Sequence, residues 1–94
     1  MQNGTIQARF QQFHMDNPDV FETLERLAAE WFSAGMRKLG VKMLWETMRW
    51  ERSKLAAPGT FALNDAYTSR YARELVNRHP EWAPYIELRE LRAA

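Results

Sequence analysis

Seven residues in the middle of this chain have the types and spacing for contact with a polyanion. Ser69, Arg70, Arg73 and Asn77 fall on one face of a helix expected over 65–78. Arginine pairs with phosphate oxygens or a guanine edge, and asparagine and serine reach bases or backbone. Lys38, Lys42 and Arg49 precede that helix and would hold phosphates if they share its side of the fold. Residues 36–79 carry nine Lys and Arg against four Asp and Glu, whereas residues 1–35 carry two Arg against five acids. A basic middle after an acidic start is the charge pattern of a nucleic-acid footprint. The competing reading is that these charges neutralise one another across packed helices, where single surface pairs contribute little.

Other chemistry finds less support. The chain has no cysteine, no HExxH, no Gly-rich phosphate loop and no GxSxG, and its two histidines, His14 and His79, lie far apart. Glu46 and Glu51 do not share a helix face, so a two-carboxylate acid–base site is not built from them. The expectation is a non-enzymatic binding protein with no catalytic residues, no metal and no cofactor. Four Trp and three Tyr raise a protein partner as the alternative, because Trp, Tyr and Arg anchor interfaces. Most of these aromatics have core spacing; Trp82 and Tyr85, near the C-terminus, are the candidate anchors.

The elements that must position these residues are helical. Ile6, Phe10 and Phe13 make a stripe on a short helix over Thr5–Met15, closed by His14, with Gln11–Asn17 read partly as connection. Asn17-Pro18-Asp19 is a helix start: Asn at the N-cap, Pro at the first position, an acid at the positive end of the dipole. Val20, Leu24, Leu27, Trp31 and Ala34 give the following helix its apolar face, and Gly35 stops it.

Gly40–Lys54 is expected to be the central helix. At roughly 100° per residue, Lys42, Glu46, Arg49 and Ser53 make a narrow polar stripe. Val41, Met43, Leu44, Met48 and Trp50 spread around most of the rest, with Trp45 on the border. So wide an apolar arc calls for neighbours on two sides, and it places Trp50 in the core. Glu51, near that arc, needs a cationic partner.

Pro58-Gly59 breaks the chain within a loop over 55–64, with a short extended segment near 60–63. Asn64-Asp65 starts the next helix, which turns Tyr67, Tyr71, Leu75 and Val76 inward and ends at His79-Pro80. Glu81–Ala94 reads as a last helix, kinked at or starting near Pro84. The whole predicts one all-α domain over residues 1–94, frayed at 1–4, with four or five short helices in helix-turn-helix-like packing. No apolar run is long enough to span a membrane, so a cytoplasmic protein is expected.

Phe13-His14, Asn17-Pro18, Leu44-Trp45-Glu46, Arg49-Trp50-Glu51, Phe61-Ala62-Leu63-Asn64 and Tyr71-Ala72-Arg73 together resemble a family of small phage and prophage proteins. That family shows an FHxxNP start, an ExxRWE stretch, an FKxN segment and a YARxxM helix. The likeness covers about residues 10–92 and departs at Ala62, where a basic residue is usual, and at Val76, where Met is usual. It implies a phage context and the host cytoplasm, hence either a DNA-bound regulator or a small protein that binds and inhibits a host defence or transcription component.

Overall fold

Helix α1, Ile6–Asp16, begins where the Thr5 hydroxyl accepts from the Ala8 amide at 3.1 Å. In this computed structural model, which describes residues 5–54 and 64–88, three more helices follow: α2 (Pro18–Ser33), α3 (Val41–Ser53) and α4 (Thr68–Arg78). A 3-10 turn, Asp65–Tyr67, leads into α4, and another, Pro80–Trp82, follows it. No strand occurs among the described residues; the chain is all-α there. The loop at 55–64, apart from Asn64, the extended segment near 60–63 and the frayed 1–4 lie outside the described residues.

One residue separates α1 from α2, so α1 runs through most of the stretch read as partly connection. Asn17 sits at the junction but does not cap α2 with its side chain. It turns back instead: its amide nitrogen and its Nδ2 both donate to the carbonyl of Phe13, at 2.9 and 3.0 Å, and close α1. The start of α2 is left to Pro18, whose missing N–H needs no acceptor. At the far end Gly35 adopts φ +90°. Its amide donates to Phe32 O and the Met36 amide donates to Trp31 O, the paired bonds of a Schellman ending.

Helix α3 packs against both α2 and α4, as its broad apolar arc requires, while α1 packs on α2 and on the Asp65–Tyr67 turn. Trp45, Tyr71, Phe10, Leu24, Leu39, Met48, Leu75 and Val20 are the largest fully buried side chains. Phe10 meets Tyr71 edge-on at 4.8 Å between ring centroids, and Trp45 lies 5.6 Å from Tyr71. Such pairs add to the area they remove from water. Arg26 Nη2 lies 3.6 Å from Glu51 Oε1, the cationic partner that Glu51 needed.

Two expectations are corrected. Trp50 is 63% exposed, and Met43, on the same edge of the helix, is exposed too. Trp45, placed on the border of the arc, is the fully buried tryptophan. The arc was wider than two neighbouring helices can cover: α2 and α4 enclose Val41, Leu44, Trp45 and Met48, and the Met43–Trp50 edge is left outside. The second correction concerns Glu81–Ala94. Over its described part, 81–88, the chain makes the 3-10 turn and a further turn, then extends. Leu39 N donates to Tyr85 O at 2.8 Å and Glu87 N to Leu39 O at 3.0 Å, a parallel bridge between Leu39 and Ile86. Pro84 offers no amide to a helix, and the bridge buries Leu39 and Ile86 instead.

Candidate interaction surfaces

The expected contact face of α4 is not an open row. Asn77 is exposed, and Ser69 and Arg73 are half-buried, but Arg70 is only 9% exposed. Its Nε donates to Gln7 Oε1 at 2.8 Å, which ties α4 to the first turn of α1. Helix α1 packs on the Asp65–Tyr67 turn, and from there its Gln7 reaches the Arg70 position of α4. Arg70 is therefore a structural residue of the α1–α4 contact, and its place in a nucleic-acid contact set is withdrawn.

The three preceding cations are all held by carboxylates. Lys42 Nζ lies 3.1 Å from both Glu46 Oε2 and Asp65 Oδ2. Arg49 bonds Glu46 at 2.8 Å through Nη1 and Asp65 through Nη2. Hydrogen bonds from Arg49 first, then Lys42, hold the Asp65 carboxyl below its ordinary range, and the carboxylates of Asp65 first, then Glu46, raise Lys42 and Arg49 above theirs. Lys42 and Arg49 thus share one site, the seam between α3 and the start of α4. Lys38 belongs to another: its Nζ lies 3.1 Å from Glu87 Oε2.

Trp82 and Tyr85 are half-buried, in a ladder of ring contacts at the end of α2. Arg37 lies over the Tyr85 ring, Tyr85 and Trp82 flank Phe32 at 5.9 and 5.2 Å, and Trp82 stacks on His79 at 4.0 Å. His79 stands between two carboxylates, Nε2 2.6 Å from Glu25 and Nδ1 3.3 Å from Glu81. The ladder fastens the C-terminal segment to α2, so much of each ring is already committed to the fold.

Periodicity passed over the outward face of α3. Met43, Thr47, Trp50 and Lys54 recur at i, i+4, i+7 and i+11, and all four are exposed. Lys54 Nζ lies 5.3 Å from the centroid of the Trp50 ring. The i, i+4 placement of Trp50 and Lys54 was a signal for this face, because a cation one turn on can lie over an exposed ring.

Between the N-terminal ends of α3 and α4 lies a cavity of about 210 Å³, lined by Gly40, Val41, Lys42, Asp65, Thr68, Ser69, Ala72 and Glu87. Among the described residues no group of three or more His, Asp or Glu is placed to hold a metal, and no helix is long and apolar enough to cross a membrane. Compared with known proteins, the chain matches no family model, no curated protein and no solved structure.

Proposed function

We propose that this chain is a non-enzymatic binding protein that docks a partner protein on the outward face of α3. The observation that carries this reading is Trp50: a large aromatic, mostly exposed, two turns along the same face from an exposed Met43 on a helix flanked by internally paired charges. Tryptophan at the centre of a patch, ringed by groups that exclude water, is the usual source of interface energy. The unbranched Met43 thioether also adapts to a partner's shape at little cost, beside the rigid indole. The resemblance to small phage proteins supports a host protein as the partner class, in the host cytoplasm. The test is capture from bacterial lysate with the wild-type chain and Trp50→Ala, each checked by circular dichroism. Retained fold with lost capture supports the reading; capture unchanged in the variant overturns it.

Nucleic acid is the second reading. Its support is that Arg9, Arg37, Lys54 and Arg78 have no carboxylate partner among the described residues, and that Asn77 is exposed beside Arg78. It ranks second because Lys38, Lys42 and Arg49 would each have to leave a carboxylate before meeting a phosphate.

A further inference from the structure

The outward row of α3 has a spacing that exposure alone does not explain. Met43, Thr47, Trp50 and Lys54 stand at the d, a, d and a positions of a heptad, the seam of a helix pair. The row lies roughly 140° round the helix from Val41, Leu44, Trp45 and Met48, the side that α2 and α4 enclose. Two heptads are too few to pair as isolated helices. Here α3 is already folded against its neighbours, so the cost of ordering it does not fall on the pairing.

The seam fits a second copy of itself in one orientation. Run antiparallel about a twofold axis, a positions oppose d positions. Trp50 then faces Thr47 of the second copy, and Met43 faces its Lys54, so each bulky side chain meets a small or flexible one. The Lys54 ammonium lies 5.3 Å from the centroid of the Trp50 ring on its own helix. It stays there while its stem packs across the seam.

The flanking charges choose the same orientation. Glu46 and Glu51 take the g and e positions beside the row. A parallel pair sets g against the following e, which brings Glu46 of one copy to Glu51 of the other. It also sets Trp50 on Trp50 and Lys54 on Lys54. An antiparallel pair sets g against g and e against e, so Glu46 faces Ser53, and Glu51 faces the edge of Leu44. Within each copy Lys42 and Arg49 neutralise Glu46, and Arg26 neutralises Glu51, so closing the seam strands no carboxylate. The two Lys54 residues end up about 16 Å apart along the axis.

We propose that the outward face of α3 pairs antiparallel with the same face of a second copy, as a twofold dimer. This rests on the docking reading and adds regulation of the same face: a second copy and a partner protein compete for Trp50. Four side chains per copy are few beside the roughly 20–30 residues a side of a standard interface, so the dimer is reversible and weaker than micromolar.

The experiment is sedimentation equilibrium of the full chain from micromolar to millimolar concentration. Apparent mass should rise from one chain toward two. Trp50→Ala, its helices checked by circular dichroism, should weaken association at least about tenfold, because an anchor is lost from both sides. Orientation is read separately. The chain has no cysteine, so Met43→Cys and Lys54→Cys, both at exposed positions, can be mixed and oxidised. The mixture should form a disulfide between position 43 of one copy and position 54 of the other, and each variant alone should form little. A mass that stays at one chain throughout overturns the proposal. So does association unaltered in Trp50→Ala, or cross-linking of each single variant as ready as that of the mixture. Sedimentation involves no other protein, so the two readings fail separately. A monomeric chain that still captures a partner through Trp50 loses the dimer and keeps the docking reading. A dimer whose capture from lysate ignores Trp50 does the reverse.

Discussion

Lys42 and Asp65 close the seam between α3 and the start of α4, with Nζ 3.1 Å from Oδ2. Arg49 reaches the other oxygen of the same carboxylate. These two cations hold the Asp65 carboxyl below its ordinary range in the folded chain. A depressed carboxyl contributes stability that is present above its unfolded pKa of about 3.9 and is lost as pH falls through the folded value. Asp65→Asn should therefore destabilise the protein at neutral pH and converge on wild type in acid. The difference at neutral pH will be small, because the groups are exposed and screened. Urea denaturation of both proteins at a series of pH values measures it; a constant gap down to strong acid would show that Asp65 contributes by something other than its charge.

The two tryptophans of α3 should respond in opposite ways. Trp45 is fully buried against Tyr71, and Trp45→Ala should cost about 3–5 kcal/mol, as large aromatic deletions in cores do. In a domain of this size that is a large share of the total, stabilities being about 5–15 kcal/mol. Trp50→Ala should stay within about 0.5 kcal/mol of wild type, as surface substitutions do. Trp45 Nε1 is also buried without a hydrogen-bond partner among the described residues. Trp45→Phe removes that stranded donor along with some packing, so it should cost clearly less than Trp45→Ala. Thermal melts of the three variants give the order, and a Trp50→Ala melt far below wild type would return Trp50 to the core.

These tryptophans show what was legible in the residues and what was not. Helix positions depend on local rules, and local rules work here: Thr5, Pro18, Gly35, Asn64 and Pro80 mark real boundaries. Which face of a helix is buried depends on how many neighbours arrive, and at what angle. Periodicity alone could not choose between Trp45 and Trp50. Nor could it show that Gln7 of α1 would cover Arg70, since that contact joins residues 63 positions apart. The Leu39–Ile86 bridge escaped for the same reason: it needs the loop after α2 beside the C-terminal segment, and no local pattern encodes that. Charge neutralisation is legible in the balance of Lys, Arg, Asp and Glu, and Lys38, Lys42 and Arg49 follow it. Glu87, the carboxylate that holds Lys38, carried no local signal at all.

Tyr71 should set an alkaline limit to stability. Its phenol is buried at the meeting of α1, α2, α3 and α4, 3.5 Å from His14 Nδ1. Burial first, then the nearby carboxylates of Asp19 and Glu74, push its ionisation well above the ordinary value. The folded pKa exceeds the unfolded one, so the stability linked to Tyr71 is complete below about pH 10, where free tyrosine ionises, and is lost as pH rises toward the folded value. Tyr71→Phe keeps the ring and removes the ionisation. Stability of wild type should fall more steeply than that of Tyr71→Phe above pH 10, and parallel curves would rule out Tyr71 as the cause.

The last prediction sets the two partner readings against each other. A helix face that binds phosphate needs cations not already engaged, because each phosphate contact gains its energy by releasing counterions. Here Lys38, Lys42 and Arg49 already sit on carboxylates, and Arg70 is buried on Gln7. Mixed-sequence duplex and single-stranded oligonucleotides should therefore bind weakly at physiological salt, no tighter than the roughly 10⁻⁴–10⁻⁶ M of nonspecific binding. Arg70→Ala is the wrong probe for this question: it removes the bond that ties α4 to Gln7 of α1, a stability cost of about 0.5–1.5 kcal/mol before any lost packing. Asn77→Ala combined with Arg78→Ala is the better one, since both residues are exposed and both lie in the last turn of α4. Affinity and its salt slope should be the same in this variant as in wild type. Binding tighter than that range, with a slope that falls by about one unit when Arg78 is removed, would make α4 a phosphate-contacting helix and place nucleic acid ahead of a protein partner.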